Sequence, residues 1–251
     1  MMTFSLLGPV RAGRDGQDLP VGSPQQRTIL AVLLLREGMV ATVEDLSAAL
    51  WGESRPRTAV SVLRTYVYRM RLRLGDDVDI RTYGDGYLLN VAPEAVDVRR
   101  FRRLTDQARH AMGRGEYEEA FRDLRAAIAL DRGTPLAGAV GPFVEGQRHR
   151  LAEMVGTARL DLYAAGLALG RHGEAVADLT ALAAEHPLWE RVHELLMQAL
   201  CQGGRQAEAL LRYHALRGRL ADALGIDPSP TLQHLYREIL LSDRVAAGAG
   251  R

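Results

Sequence analysis

Two six-residue segments of this chain, GRHGEA from Gly170 and GRQAEA from Gly204, lie 34 residues apart, and GRGEYEEA from Gly113 places a third Glu-Ala pair at residues 119 and 120. A period of 34 with helical composition on both sides is the mark of a helix, tight turn, helix repeat of the tetratricopeptide kind. The small residue at 120, 175 and 209 suits such a repeat, because paired helices need little bulk where their axes cross closely. Leu162, Tyr163, Leu167, Leu179 and Leu182 have the size to fill the stack, and Pro187 and Pro228 punctuate helix ends. An all-α repeat region is therefore expected to occupy most of the chain.

The first third reads differently. Residues 1–21 alternate short apolar runs, FSLL and LPV, with Gly and Pro breaks, the pattern of small antiparallel strands. From Gln25 to Glu37, Ile29, Leu30, Leu33 and Leu34 recur at helical spacing and predict a first helix. Thr42 offers a cap for VEDLSAALW, with Glu44 and Asp45 where the helix dipole favours acids, and Gly52 ends this second helix. A third helix spans about Thr58 to Leu74, with Leu63, Val67, Met70 and Leu74 on one face and Gly75 as its stop. DIRTYGDGYLLNV then reads as two strands around an Asp-Gly turn signal. Beyond APEAVD, residues 92–97, strand signal disappears, which places a boundary between residues 92 and 93. The fold class expected is mostly α: a winged helix-turn-helix with small antiparallel sheets over 1–92, then an all-α tetratricopeptide-like domain over 93–251. A loose tail is expected from about residue 243.

The third helix is where function shows. Six arginines fall between Arg55 and Leu74, and no Asp or Glu occurs between Ser54 and Gly75, although the whole chain carries a net charge of only +1. Ordinary exposed helices mix both signs to gain pairs three or four residues apart. Thr58, Ser61, Thr65, Arg69 and Leu72 fall roughly opposite the apolar stripe, with Tyr68 beside them. A B-DNA major groove admits a helix whose arginines bond guanine and whose Thr and Ser make short contacts. Arg55, Arg57, Arg64, Arg71 and Arg73 flank that face, where phosphates run along the groove walls. Net charge hides this: residues 1–95 hold equal numbers of basic and acidic side chains.

Other chemistry is poorly provided for. All 32 basic residues are arginine, which excludes a Lys-dependent phosphate loop, an SxxK site and a Schiff base. Cys201 is the sole cysteine and reads as a small buried helix residue. His172, His186, His193 and His214 lack metal-ligand spacing, and Asp76, Asp77 and Asp79 read as a solvated turn. Trp51 and Trp189 read as core residues. No metal, cofactor or catalytic residue is expected, and the chain is not expected to be an enzyme. The longest apolar run, Ile29 to Leu35, is too short to span a bilayer and no export leader is visible, so a cytoplasmic, nucleoid-associated location is expected.

PQQRTILAVLLLREG, VEDLSAALWG, TAVSVLRTYVYRMRLRLG and the GYLL of the hairpin resemble the OmpR-type winged helix of the Streptomyces antibiotic regulatory protein (SARP) family. The helical remainder is similar to that family's bacterial transcriptional activation domain, and the likeness covers about residues 3–242. The resemblance implies a pathway-specific activator of secondary-metabolite genes that binds direct repeats near the −35 element as a dimer. It also implies contact with RNA polymerase, through sigma factor and the carboxy-terminal domain of the polymerase alpha chain. Carried over residue by residue, Arg69 and Thr65 are the leading base readers. Ser61, Arg64, Tyr68 and Arg71 sit where the family makes flanking contacts, mostly to phosphate; Arg27 in the first helix contacts phosphate, and Thr58 and Arg73 join the DNA-binding set from their places on the helix. Tyr83 stands at the wing tip, where relatives place arginine or another side chain that reaches the minor groove, and Arg81 flanks it. Asp131 stands where relatives often carry Trp. Glu53, Arg55 and Arg57, in the loop before the third helix, fall where polymerase is contacted. With the winged helix at the amino terminus, no receiver domain is expected, and abundance, promoter geometry or a small ligand would set activity. A protein-interaction scaffold and a repressor with the same DNA contacts are the competing readings.

Overall fold

The computed structural model describes residues 1–75 and 78–248, with side chains described up to residue 241. Three strands, β1 (Met2–Ser5), β2 (Arg11–Arg14) and β3 (Gln17–Leu19), form an antiparallel sheet in that order. The LPV run lies mostly outside a strand, while RAGR, which has no apolar run, forms the central one. Its pairing on both edges, Thr3 with Gly13 and Gly13 with Asp18, outweighs its weak strand composition.

Three helices follow: α1 (Pro24–Leu35), α2 (Val43–Trp51) and α3 (Ala59–Leu74). Both α1 and α2 start with a capping box. Ser23 and Gln26 exchange bonds at the first, and Thr42 and Asp45 at the second. The Asp45 carboxyl is lowered from its usual value by its bonds from Thr42 and the nearby Arg36, against a burial effect of opposite sign. Thr42→Ala should remove one satisfied amide and cost about 1 kcal/mol, read as a lower midpoint in chemical denaturation. Ile29, Leu30, Leu33, Leu34, Leu46, Leu63, Met70 and Leu74 meet in the core of this trio.

A second sheet, ordered β4-β6-β5, joins β4 (Ala41–Thr42) to a hairpin of β5 (Ile80–Tyr83) and β6 (Gly86–Leu89). Tyr83 pairs with Gly86, so the two-residue turn is Gly84-Asp85. Gly84 has φ +56, at the position where a type II′ turn takes glycine. The Asp-Gly signal is thus displaced by one residue. Gly86 is needed inside the strand, because a Cβ there would collide with the Ala41 carbonyl of β4. Asp76 and Asp77 of the expected solvated turn lie outside the described residues, and Asp79 is exposed.

A 3-10 turn (Pro93–Ala95) leads to seven helices: α4 (Asp97–Gly113), α5 (Tyr117–Ile128), α6 (Pro142–Ala168), α7 (His172–Glu185), α8 (Glu190–Gln202), α9 (Gln206–Leu224) and α10 (Pro230–Gly248). α10 continues as helix to Gly248, past residue 243 where the sequence led us to expect a loose tail. The Asp243–Arg244–Val245–Ala246–Ala247 stretch contains no helix breaker to stop it.

By compactness the chain forms two units, Met1–Gln107 with Asp123–Ala158, and Ala108–Arg122 with Arg159–Arg251. Within the first unit, the segment before α6 is knitted to the amino-terminal elements. Arg132 and Leu136 amides donate to the Leu7 and Leu6 carbonyls at 2.7 and 3.0 Å, and the Val10 amide donates to the Ala137 carbonyl at 3.0 Å. Thr28 of α1 donates its hydroxyl to the Val140 carbonyl at 2.6 Å and accepts from the Val140 amide at 3.0 Å. Asp97 is buried in the same unit. Its carboxylate accepts from the Leu6 amide at 2.8 and 2.9 Å, from Leu7 at 3.0 Å and from Val98 at 2.7 Å. Asp131 accepts from the Gly133 amide at 3.1 Å, a local turn bond.

In the second unit the repeat appears as three copies of one turn. Gly115, Gly170 and Gly204 have φ of +78, +75 and +74, and the next residue's amide reaches back to Ala111, Gly166 or Leu200 at 2.9, 2.9 and 2.8 Å. This is a left-handed helix stop that glycine adopts without a Cβ penalty. Five residues on, Ala120, Ala175 and Ala209 are all buried. Trp189 is half-buried, edge-on to His186 at 5.4 Å between ring centres. Cys201 is partly buried, and burial pushes its thiol up. His193 is buried, and burial lowers its pKa. No helix among the described residues is long and apolar enough to cross a membrane.

Candidate nucleic-acid interface

α3 buries Ala59, Leu63, Val67, Met70 and Leu74 and exposes Ser61, Arg64, Thr65, Tyr68, Arg69, Leu72 and Arg73. The apolar stripe decides this orientation, since its side chains have nowhere else to leave water. Thr58 precedes the helix without a side-chain cap bond, and Gly75, at φ +72, ends it. Arg14 Nη2 then donates to the Leu74 carbonyl at 2.7 Å, satisfying one of the acceptors left open at a helix end.

The six arginines divide into two sets. Arg57, Arg64 and Arg69 are exposed, and no hydrogen bond or ion pair engages them among the described residues. The remaining three are engaged by neighbours. Arg55 pairs with Glu44 of α2. Arg71 donates from Nε to the Ile80 carbonyl at 2.8 Å and from Nη2 to Thr82 Oγ1 at 3.0 Å, and lies 6.0 Å from the centre of the Tyr87 ring. It therefore fastens the wing to α3, a role that spacing within the helix could not reveal. Arg73 donates to Gln26 Oε1 at 2.8 Å while its side chain stays exposed.

Gln26 was not among the expected site residues, yet it organises the entry to the face. It is buried, its Oε1 accepts from the Ser23 amide at 3.0 Å, and its Nε2 donates to the Tyr66 carbonyl at 3.2 Å. The S-x-x-Q capping pattern was visible in the sequence, but its bonds to α3 were not. Arg27, expected at phosphate, lies instead against Gly138, where a Cβ would collide with its guanidinium. Its Nε is buried without a hydrogen-bond partner.

On the reading face, the Ser61 hydroxyl donates to the Thr58 carbonyl at 2.8 Å and the Thr65 hydroxyl to the Ser61 carbonyl at 2.9 Å. Both oxygens keep lone pairs for a donor approaching from outside. At the wing, Tyr83 is 69% exposed beside the turn, and Arg81 is exposed and pairs with Asp79. Glu53, exposed, stands with Arg55 and Arg57 in the loop between α2 and α3. Trp51, at the end of α2, is half-buried. The face thus combines two unengaged cations on α3, Arg64 and Arg69, a third, Arg57, in the loop before it, and a wing tied to the helix by Arg71.

Residues 17–89 match the family described as "Transcriptional regulatory protein, C terminal", and residues 96–240 match the bacterial transcriptional activator domain. The chain is 47% identical over 249 residues to the regulatory protein AfsR of Streptomyces coelicolor, covering 98% of this chain and 25% of AfsR. It is 34% identical over 256 residues to the regulatory protein DnrI of Streptomyces peucetius, covering 96% of this chain and 93% of DnrI. Among solved structures, Mycobacterium tuberculosis EmbR in complex with a low-affinity phosphopeptide superposes with a TM-score of 0.91 at 35% identity, over 96% of this chain and 65% of that one. The chain thus spans a quarter of AfsR and nearly all of DnrI.

Proposed function

Since the chain belongs to the SARP family, with its winged-helix and bacterial transcriptional activator domains, we propose that it is a sequence-specific DNA-binding transcriptional activator of secondary-metabolite genes. The observation that carries this reading is the outward face of α3 and the loop that leads into it, where Arg64 and Arg69 on the helix and Arg57 just before it stand exposed and unengaged with no acid on the helix. Such a face gains little in water and much among phosphates, whose condensed counterions it releases.

In this reading α3 enters the major groove. Arg69 and Thr65 read bases, with Thr58, Ser61 and Tyr68 beside them, and Arg57, Arg64 and Arg73 meet phosphates. Arg71 acts through the wing it holds, and Tyr83 with Arg81 reaches toward the next groove. Residues 1–92 serve as the DNA-binding domain and 93–251 as the activation domain. Two copies bind direct repeats near the −35 element. Glu53, Arg55 and the helical domain present surface to sigma factor and to the carboxy-terminal domain of the polymerase alpha chain, so that activation is recruitment without covalent chemistry.

Mobility-shift assays with promoter fragments at moderate salt test the core of this. A sequence-specific shift is expected, and its absence would overturn the reading. Transcription in vitro with purified polymerase separates activator from repressor by the direction of the change in transcript. Arg73→Ala should weaken binding to all sequences alike and lower the salt-dependence slope by about one. The titration should show no change in base preference, because Arg73 is positioned by Gln26 at the flank of the face.

A further inference from the structure

Tyr68 and Leu72 are the two large apolar side chains that α3 leaves in water, 61% and 66% exposed. With 3.6 residues per turn, Ser61, Thr65, Tyr68 and Leu72 share one stripe, and Leu72 stands roughly opposite the midline of the buried stripe. Arg69 is rotated about 60° to one side of Leu72 and Arg64 about 80° to the other. The outermost line of the helix is therefore uncharged, and the unengaged cations lie to either side of it.

That order matters in a groove. A short side chain reaches the floor, where base edges lie, only from the outermost line, whereas a side chain rotated to the side must be as long as arginine to reach a base edge and otherwise meets the walls, where phosphates lie. Nothing in the fold needs an isobutyl group at position 72, and a solvated helix face takes a charged or polar residue there without loss. The apolar group that a base presents in the major groove is the C5-methyl of thymine. We infer that Leu72 is a specificity-determining residue that packs against a thymine C5-methyl, with Tyr68 lining the same contact. The occupant is double-stranded DNA, argued from charge: Arg64 and Arg69 flank the stripe with no acid between Ser54 and Gly75. A second copy docking the same face would set arginines against arginines.

The inference rests on the proposed DNA-binding function, and the test separates the two. The full chain selects duplexes from a randomised pool, and each thymine of the resulting consensus is then replaced by deoxyuridine, which removes only the methyl group. At one thymine per half-site the replacement should weaken wild-type binding roughly three- to fivefold, the loss of about one buried methyl. In Leu72→Ala the same replacement should cost nothing, while the guanine preference assigned to Arg69 and the unfolding midpoint stay at wild-type values. A replacement that is neutral at every thymine, or one that costs Leu72→Ala as much as wild type, would overturn the inference while the consensus upholds DNA reading. Loss of self-association in Leu72→Ala with unchanged thymine discrimination would also overturn it, by assigning the face to a second copy. If the pool yields no consensus, the DNA-binding reading falls and the inference with it.

Discussion

Asp97→Ala should destabilise the chain by about 3 kcal/mol, seen as a lower midpoint in chemical denaturation of the full chain with the slope unchanged. The carboxylate is buried and holds the amides of Leu6, Leu7 and Val98. Alanine leaves the first two as buried donors just beyond strand β1, without the acceptor that satisfied them. Asp97→Asn keeps one acceptor and should cost less. The acid is also a pH sensor of stability. Burial raises its pKa from 3.8 to about 6, against the lowering effect of the three amides and Arg132. Because the folded state binds this proton more readily than the unfolded state, the sign is clear: between about pH 4 and 6, stability contributed by Asp97 falls as pH rises. Denaturation of Asp97→Asn across that range should lack this term. A wild-type and Asn pair with parallel stability curves would contradict the assignment.

Arg69→Ala should lose roughly 1 to 3 kcal/mol of binding to the selected operator and relax preference at one base position. Its guanidinium is exposed, unengaged and about 60° from the outermost line of α3, close enough to reach a guanine edge. Competition titrations against single-base operator variants measure it. The contrast with Arg73→Ala is decisive, since a phosphate contact lowers affinity for every sequence and a base contact lowers it for one. If the two substitutions gave the same pattern, the division between reader and flank would be wrong. Arg71→Ala is a third case. Its guanidinium spans to Ile80 and Thr82, so its loss frees the wing as well as a charge.

Much of this was written in local sequence, and the parts that were not share one cause. Helix α3 could be placed to within a residue because Leu63, Val67, Met70 and Leu74 repeat at helical spacing and Gly75 stops the helix. The cap at Thr42, and the Gly-x-x-x-Glu-Ala pattern of the repeats, were legible for the same reason: each depends on residues within about one turn of each other. The partners of each arginine were not legible. Gln26 and Arg73 are 47 positions apart, Thr28 and Val140 are 112 apart, and Leu6 and Asp97 are 91 apart.

Sequence by itself thus determined that a cationic helix without acids, two small sheets and a 34-residue helical repeat exist, since periodicity and composition are local properties. Tertiary structure alone decided which cations remain unengaged. Whether an arginine faces phosphate, a strand carbonyl or a glycine depends on what distant chain folds against it. So Arg57, Arg64 and Arg69 stay available, Arg71 and Arg73 become ties, Arg27 turns to Gly138, and Leu72 is left at the centre of the face.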